Sequence, residues 1–181
     1  MKKRIIIYCG MSSSGKTYLS KKYLKEHKDS QLIVTYTTRP MRPNEIDGID
    51  YHFISDDTFD VLKLMNKLIE QREYNTTSGL WRYGTGWFIN DWDNEFVGVF
   101  DLTGIEAICK AYPRAEVIVN YVYVSESIRK KRAIKRGGFD EAEWERRLKT
   151  DEEDFSDEKL TKLNDVLRQY GNPPITEIKN F

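Results

Sequence analysis

Arg4-Ile5-Ile6-Ile7-Tyr8-Cys9-Gly10-Met11-Ser12-Ser13-Ser14-Gly15-Lys16-Thr17 is the stretch that decides the reading of this 181-residue chain. Its first six residues are rich in β-branched side chains, the pattern of a strand buried on both faces in a parallel sheet. A glycine-rich turn follows. From Lys16 to about His27, Leu19, Tyr23 and Leu24 then recur at helical spacing. Strand, tight turn and helix in that order open an α/β sheet.

The turn from Gly10 to Thr17 fits the pattern G-x-x-x-x-G-K-S/T. Glycines there let backbone N–H groups curl around an anion, and the N-terminus of the following helix adds its partial positive charge. Gly10, Ser12, Ser13, Ser14, Gly15, Lys16 and Thr17 are therefore the candidate ATP-binding residues. Lys16 is expected to reach the β- and γ-phosphates and Thr17 to ligate Mg²⁺ through its hydroxyl. Asp101 closes the apolar run Phe96-Val97-Gly98-Val99-Phe100. A P-loop enzyme places a Mg²⁺-associated carboxylate at such a strand end, although a helix cap is the plainer use of the same residue.

Outward from the turn, Gln31-Leu32-Ile33-Val34-Thr35-Tyr36 reads as a second strand. Asp57 to Glu70 reads as a helix with Phe59, Leu62, Met65 and Ile69 on one face. Glu70 to Tyr74 and Leu80 to Tyr83 read as the arms of a hairpin turning at Ser78-Gly79. Glu116 to Val124 is the most strand-like segment, and Ser125 to about Asp154 is charged and helical, broken at Gly137-Gly138.

Composition narrows the class. Lysine plus arginine (29) equal aspartate plus glutamate (29), so no overall pull toward nucleic acid or an anionic membrane exists and any anion site must be local. The apolar stretch Ile5 to Cys9 is too short for a signal peptide or a membrane span, which predicts a cytoplasmic protein. Cys9 and Cys109 have no metal-ligand spacing and are expected to be reduced core thiols.

The acceptor side is carried by Thr35-Tyr36-Thr37-Thr38-Arg39-Pro40-Met41-Arg42-Pro43-Asn44-Glu45-Ile46-Asp47-Gly48-Ile49-Asp50-Tyr51-His52-Phe53. Arg39 and Arg42, three apart on a proline-stiffened segment, make a fork suited to a phosphate dianion, and Tyr51 offers a hydroxyl to the same group. This stretch resembles the guanylate kinase signature S-x-T-T-R-x-x-R-x-x-E-x-x-G-x-D-Y-x-F, with unbroken spacing. The resemblance implies that Arg39, Arg42 and Tyr51 hold the GMP phosphate. It also implies that Thr35 stands where the family has a serine near guanine O6, and that Glu70 accepts from guanine N1 and N2. Tyr83-Gly84-Thr85 is similar to the family Y-G-S/T, which implies a phosphate-facing phenol and a second base-facing hydroxyl. Arg136 and Arg147, eleven apart, resemble the lid arginines that neutralise the transferring phosphate.

The family usually shows D-x-D/E-x-Q-G where this chain reads Val99-Phe100-Asp101-Leu102-Thr103-Gly104. Val99 replaces the first acid and Thr103 the glutamine, and the hairpin carries extra residues. The chain is similar to a divergent guanylate kinase-like branch.

The resemblance implies an α/β fold with a P-loop NTPase-type parallel sheet core flanked by helices, a small mixed β/α insert for the nucleoside monophosphate, and a helical lid. The expected division is residues 1–34, 93–131 and 155–181 for the core, 35–92 for the GMP-binding insert and 132–154 for the lid. The expected reaction is in-line, Mg²⁺-dependent phosphorylation of GMP or dGMP by ATP, with Lys16, Arg42, Arg136 and Arg147 catalytic. Thr35, Arg39, Arg42, Tyr51, Glu70, Tyr83, Thr85 and Asp101 would hold the acceptor, with Thr17 and Asp101 at the metal. A monomer or homodimer acting on nucleotides, with no nucleic-acid or membrane partner, is expected. The alternatives are a kinase of the same fold acting on another monophosphate or ribose bisphosphate, and a guanylate kinase-like binding module without catalysis.

Overall fold

The computed structural model describes residues 3–89 and 95–179. The chain divides into two compact units, Met1–Leu32 with Asp93–Phe181, and Ile33–Trp92.

In the first unit β1 (Arg4–Cys9) leads through the glycine-rich turn into α1 (Lys16–Glu26), and β2 (Ser30–Leu32) follows. The chain then builds β3 (Tyr36–Thr37), β4 (His52–Phe53), α2 (Asp56–Leu64), β5 (Leu68–Thr76) and β6 (Gly79–Gly86) in the second unit. It returns to the first with β7 (Glu95–Val99), α3 (Leu102–Ala111), β8 (Glu116–Tyr123), α4 (Glu126–Arg136), α5 (Glu141–Asp154), α6 (Asp157–Gln169) and β9 (Thr176–Lys179).

The first unit is organised by a five-stranded sheet of order β2-β7-β1-β8-β9, parallel at every pairing. β1 lies in the middle, so Ile5, Ile6 and Ile7 are buried on both faces, which accounts for the unbroken apolar run. Leu19, Tyr23 and Leu24 of α1 pack on the cluster of Ile6, Tyr8, Val97, Val122 and Val124. Successive strands are added on either side of β1, so its C-terminal end is a topological switch point, where open α/β sheets bind ligands.

Two corrections to the sequence reading concern the second unit. The expected strand Gln31 to Tyr36 is two strands in different sheets: β2 pairs with β7 and ends at Leu32, and β3 starts at Tyr36 in the second unit. An apolar run carries no mark of the point where a chain leaves one core for another. The expected helix Asp57 to Glu70 stops at Leu64, because Asn66 takes a positive φ of 52° and Leu68 already belongs to β5. Ile69 therefore leaves the helical face on which periodicity placed it, and Met65 is 59% exposed.

The second unit is a four-stranded sheet of order β4-β3-β6-β5, with β3 and β4 parallel and β3–β6 and β5–β6 antiparallel. The hairpin is longer than its sequence signature, running to Thr76 and resuming at Gly79. Beneath it Phe59 of α2 is fully buried, with the Arg82 guanidinium 4.4 Å above its ring.

Candidate functional site

The turn after β1 has the geometry of an anion cradle, and two of its glycines are obligatory. Gly10 has φ +137°, and a Cβ there would sit 2.7 Å from the carbonyl oxygen of Val122 on β8. Gly15 has φ 99° where the loop enters α1. Ser13 is held at φ 61°, Ser14 is buried, and Thr17 is exposed at the first turn of α1. The Lys16 ammonium donates to the carbonyls of Gly10 at 2.6 Å and Met11 at 2.8 Å, so it is folded back over the loop.

Burial pulls the Lys16 ammonium down to about 8, with Asp151 and Cys9 opposing that shift and Arg129 and Arg136 adding to it. Arg136, at the exposed C-terminal end of α4, is therefore close enough for its charge to be felt at Lys16. The buried Cys9 thiol is pushed up to about 12 by burial, with Lys16 pulling it down and Asp101 pushing it further up. Lys16 and Asp101 thus both act on the last residue of β1. The Asp101 carboxylate accepts the N–H of Gly104 at 2.9 Å and so caps α3.

The sequence reading missed three residues of this cluster. Asp151 of α5 accepts the N–H of Ser12 at 2.6 Å and its hydroxyl at 3.2 Å. Arg129 of α4 is buried, donates to the Ser12 carbonyl at 3.4 Å and stands 3.5 Å from Asp151. Arg132 donates to the Ser14 carbonyl at 2.9 Å. Arg147 donates through its Nε to Glu143 at 2.7 Å, and Arg146 binds the same carboxylate through two nitrogens. Asp151 lies one helical turn beyond Arg147 on α5, so the two project from neighbouring positions. Trp144 packs this segment, with Phe139 6.3 Å away and the Arg129 guanidinium 5.7 Å from its ring.

In the second unit a row of polar side chains follows the pleat of β5 and β6. Glu70 opposes Thr85, Arg72 opposes Tyr83 and Tyr74 opposes Trp81. Alternate residues share a face, so Glu70, Arg72 and Tyr74 project together. The Thr85 hydroxyl donates to Glu70 at 2.5 Å, and Arg72 donates to the same carboxylate through Nε at 3.0 Å. Tyr83 meets Tyr74 edge-on at 5.7 Å and Tyr51 at 6.0 Å.

Arg39 joins the row at Tyr51, with its guanidinium 5.2 Å from that ring and 5.4 Å from Phe53. It is 3% exposed and donates through two nitrogens to Glu45, at 2.8 and 2.9 Å. Burial, the largest single effect, works against the Arg39 charge, but the Glu45 hydrogen bond and the charges of Tyr83, Glu45 and Tyr51 together outweigh it, and the guanidinium ends above its ordinary value. Burial likewise raises the Tyr51 phenol, with Tyr83 adding and Arg39 opposing. Arg42 is half-buried and donates its backbone N–H to Glu45 at 2.8 Å. Thr35 precedes β3, and its carbonyl accepts from the N–H of His52 at 2.9 Å.

Arg39, Tyr51 and Tyr83 therefore converge, and Glu70 and Thr85 are joined. Arg72 and Glu45 are the residues that sequence reasoning missed here. Glu45 was within reach, since it stands three residues after Arg42 in the signature. Toward the C-terminal end, Asn172 accepts the N–H of Val117 at 3.0 Å and Asn164 that of Ile175 at 2.8 Å, so both brace the fold.

The guanylate kinase family model matches residues 2–85. The guanylate kinase of Sphingopyxis alaskensis is 49% identical over 55 residues, which are 30% of this chain and 25% of that one. The guanylate kinase of Thermobifida fusca is 39% identical over 83 residues, 46% of this chain and 40% of that one. In both cases the matched stretch spans less than half of the relative. With the guanylate kinase of Chlorobium luteolum the match runs over 98% of this chain and 92% of the relative, at 27% identity. Among solved structures, the guanylate kinase from Anaplasma phagocytophilum superposes with a TM-score of 0.57, covering 99% of this chain and 77% of that one at 16% identity, a likeness of fold. The family model ends on the Tyr83-Gly84-Thr85 strand, the Chlorobium luteolum relative aligns over nearly the whole chain and the α/β fold is shared: the chain is similar to guanylate kinases in sequence and in fold.

Proposed function

We propose that this protein transfers the γ-phosphoryl group of ATP to GMP or dGMP. The observation that carries the reading is the Glu70–Thr85 pair in one row with Tyr83, Tyr51 and Arg39. An ionised carboxylate is acceptor-only. Guanine presents two adjacent donors, N1–H and the N2 amine, whereas adenine presents an acceptor at N1. Thr85 fixes one oxygen of Glu70, and Arg39, Arg42, Tyr51 and Tyr83 supply the donors a phosphate dianion requires. Thr35 lies at the start of the same strand system and would supply a further hydroxyl to the base.

The cradle from Gly10 to Thr17 would take ATP, with Lys16 swinging from its two carbonyls onto the β- and γ-phosphates. The exposed Thr17 hydroxyl and the Asp101 carboxylate suit Mg²⁺, an ion that keeps several waters and reaches such sites with the nucleotide's phosphates. Mg²⁺ there would neutralise charge on the β- and γ-oxygens. Ile33–Trp92 would be the acceptor-holding insert, and α4 with α5 the lid that brings Arg136 and Arg147 to the transferring group. Because no side chain needs to act as nucleophile, catalysis would be positioning and charge neutralisation.

The test is ADP release from ATP·Mg²⁺, run against GMP, dGMP, AMP, UMP, CMP and ribose bisphosphate. Selective turnover with GMP or dGMP is expected. Selective turnover with another acceptor would overturn the base assignment, and silence with all of them would overturn the reaction.

A further inference from the structure

We propose that the hydroxyls of Thr37 and Thr38 form a clasp on the Arg82 backbone that sets the spacing of Arg39 and Tyr83. The inference rests on the reading of Arg39 and Tyr83 as donors to the GMP phosphate, and it makes the two threonines positioning residues that act through those side chains.

β3 is only 2 residues long, with Tyr36 opposite Gly84 and Thr37 opposite Tyr83 on β6. Past Thr37, side chains take over the pairing. The Arg82 carbonyl, in the peptide that enters Tyr83, accepts the Thr37 hydroxyl at 2.9 Å and the Thr38 N–H at 3.0 Å. The Arg82 N–H donates to the Thr38 hydroxyl at 3.1 Å. On the other side, the Arg39 N–H donates to the Thr37 hydroxyl at 3.2 Å.

A hydroxyl can donate once and still accept. That of Thr37 does both, so it bridges the peptide entering Tyr83 and the peptide entering Arg39. Thr37 is fully buried, which keeps water from replacing either bond, and its β-branched side chain has little freedom at χ1. The Arg82 guanidinium is pinned to α2 by Asp60 at 2.5 Å and lies 4.4 Å from the Phe59 ring, so the peptide that the clasp holds is anchored from its other end. Arg39 and Tyr83 both meet the Tyr51 ring, at 5.2 and 6.0 Å. They reach it from different strands, Arg39 just past β3 and Tyr83 from β6, so their spacing is decided by how these strands are joined. Two donors that share one phosphate tolerate little error in that spacing. Valine at 37 keeps the shape but leaves the Arg39 N–H without a partner, and valine at 38 does the same to the Arg82 N–H.

The test is equilibrium binding of GMP and of ATP·Mg²⁺, each alone, by calorimetry. Thr37→Val is expected to lose about tenfold in GMP affinity. It should bind ATP·Mg²⁺ as wild type does, because the cradle belongs to the other unit. Thr37→Ser keeps the hydroxyl and should restore most of the loss. Thr38→Val should lose about threefold on GMP alone, and it carries the test by itself if Thr37→Val does not fold. Tyr83→Phe, which removes only the phenol hydroxyl, completes a double-mutant cycle. In that background the threonine variants should cost less than in wild type, since one of the two groups they aim is gone. Losses that are additive, that fall equally on ATP·Mg²⁺ or that Thr37→Ser does not reverse would overturn the clasp. If Tyr83→Phe leaves GMP affinity unchanged, the phosphate-site reading of Tyr83 fails and the clasp with it. If Tyr83→Phe weakens GMP and the threonine variants do not, only the clasp fails.

Discussion

The carboxylate of Asp151, on α5, is hydrogen-bonded to both the backbone N–H and the hydroxyl of Ser12 inside the phosphate cradle, at 2.6 and 3.2 Å. A protein anion therefore touches the loop. Arg129 stands 3.5 Å from it, and Lys16 feels its charge.

A triphosphate entering the cradle would bring several negative charges toward Asp151, and like charges in a partly buried site repel strongly. Asp151→Asn keeps an acceptor for Ser12 but removes the charge. It is expected to bind ATP·Mg²⁺ about tenfold more tightly, because less of the affinity is lost in displacing the side chain. Without nucleotide it should melt at a lower temperature than wild type, since a charge-assisted bond becomes a neutral one. Calorimetry and thermal melts check the two effects. Weaker ATP binding would mean that the carboxylate shapes the loop for the nucleotide rather than competing with it.

Lys16 makes a second prediction, with a definite sign. Burial sets its ammonium near 8, against an ordinary value of 10.5. Between those values the unfolded chain binds more protons than the folded one, so this group's contribution to stability rises with pH. It is fully present above the unfolded value and is lost as pH falls through about 8. Lys16→Met cannot titrate. The stability difference between wild type and this variant should therefore shift in favour of wild type as pH rises from 8 to 10, as read by urea unfolding at each pH. The same variant is expected to abolish phosphoryl transfer. A pH-independent difference would place the ammonium in water rather than against the loop carbonyls.

Glu143 gives the acid counterpart. The hydrogen bond from Arg146, with that from Arg147, brings its carboxyl down to about 2 from 4.5, against the opposing effect of burial. A depressed carboxylate contributes stability that is present above the unfolded value and lost as pH falls through the folded one. Wild type should thus lose stability between pH 4.5 and 2, and Glu143→Gln should lose less over that window. The variant also releases Arg147 from its 2.7 Å bond, so turnover is expected to change with it. Melting curves at stepped pH check the first effect and the ADP-release assay the second. Parallel profiles for the two proteins would show that the arginines do not hold this carboxylate in solution.

The parts of the molecule legible in its sequence are those whose cause is local. Gly10 and Gly15 are demanded by a loop that presses on Val122 and turns into α1, and the spacing to Lys16 and Thr17 goes with them. The three isoleucines of β1 declare a strand covered on both faces. What stayed hidden depends on distance in space. Asp151 is one acid among many on a charged helix, and nothing in its neighbourhood marks it as the partner of a residue 139 positions earlier. Arg72 is one charge on a hairpin arm until the register with β6 sets it beside Tyr83 and its pleat beside Glu70. The end of α2 was missed because Leu62, Met65 and Ile69 keep helical spacing past Asn66, where the backbone turns.

The Arg39–Glu45 pair joins local and distant causes. Glu45 lies six residues from Arg39 and binds two of its nitrogens, and the same carboxylate accepts the N–H of Arg42. The Arg39 side chain is 2% exposed and that of Glu45 18%, so little water is at hand to replace a lost partner. Removing one member of such a pair leaves a buried charge uncompensated, at a cost of about 3–5 kcal/mol. Glu45→Gln keeps the size and one acceptor, so its cost is expected nearer the lower end, about 3 kcal/mol by urea unfolding. Arg39 would also lose its orientation over Tyr51, so GMP affinity should fall about tenfold or more while ATP affinity is unchanged. If stability drops and both nucleotides bind as before, Glu45 braces the segment without aiming Arg39. If neither changes, Tyr51 and Phe53 hold the guanidinium by themselves, and the bidentate bond is incidental to binding.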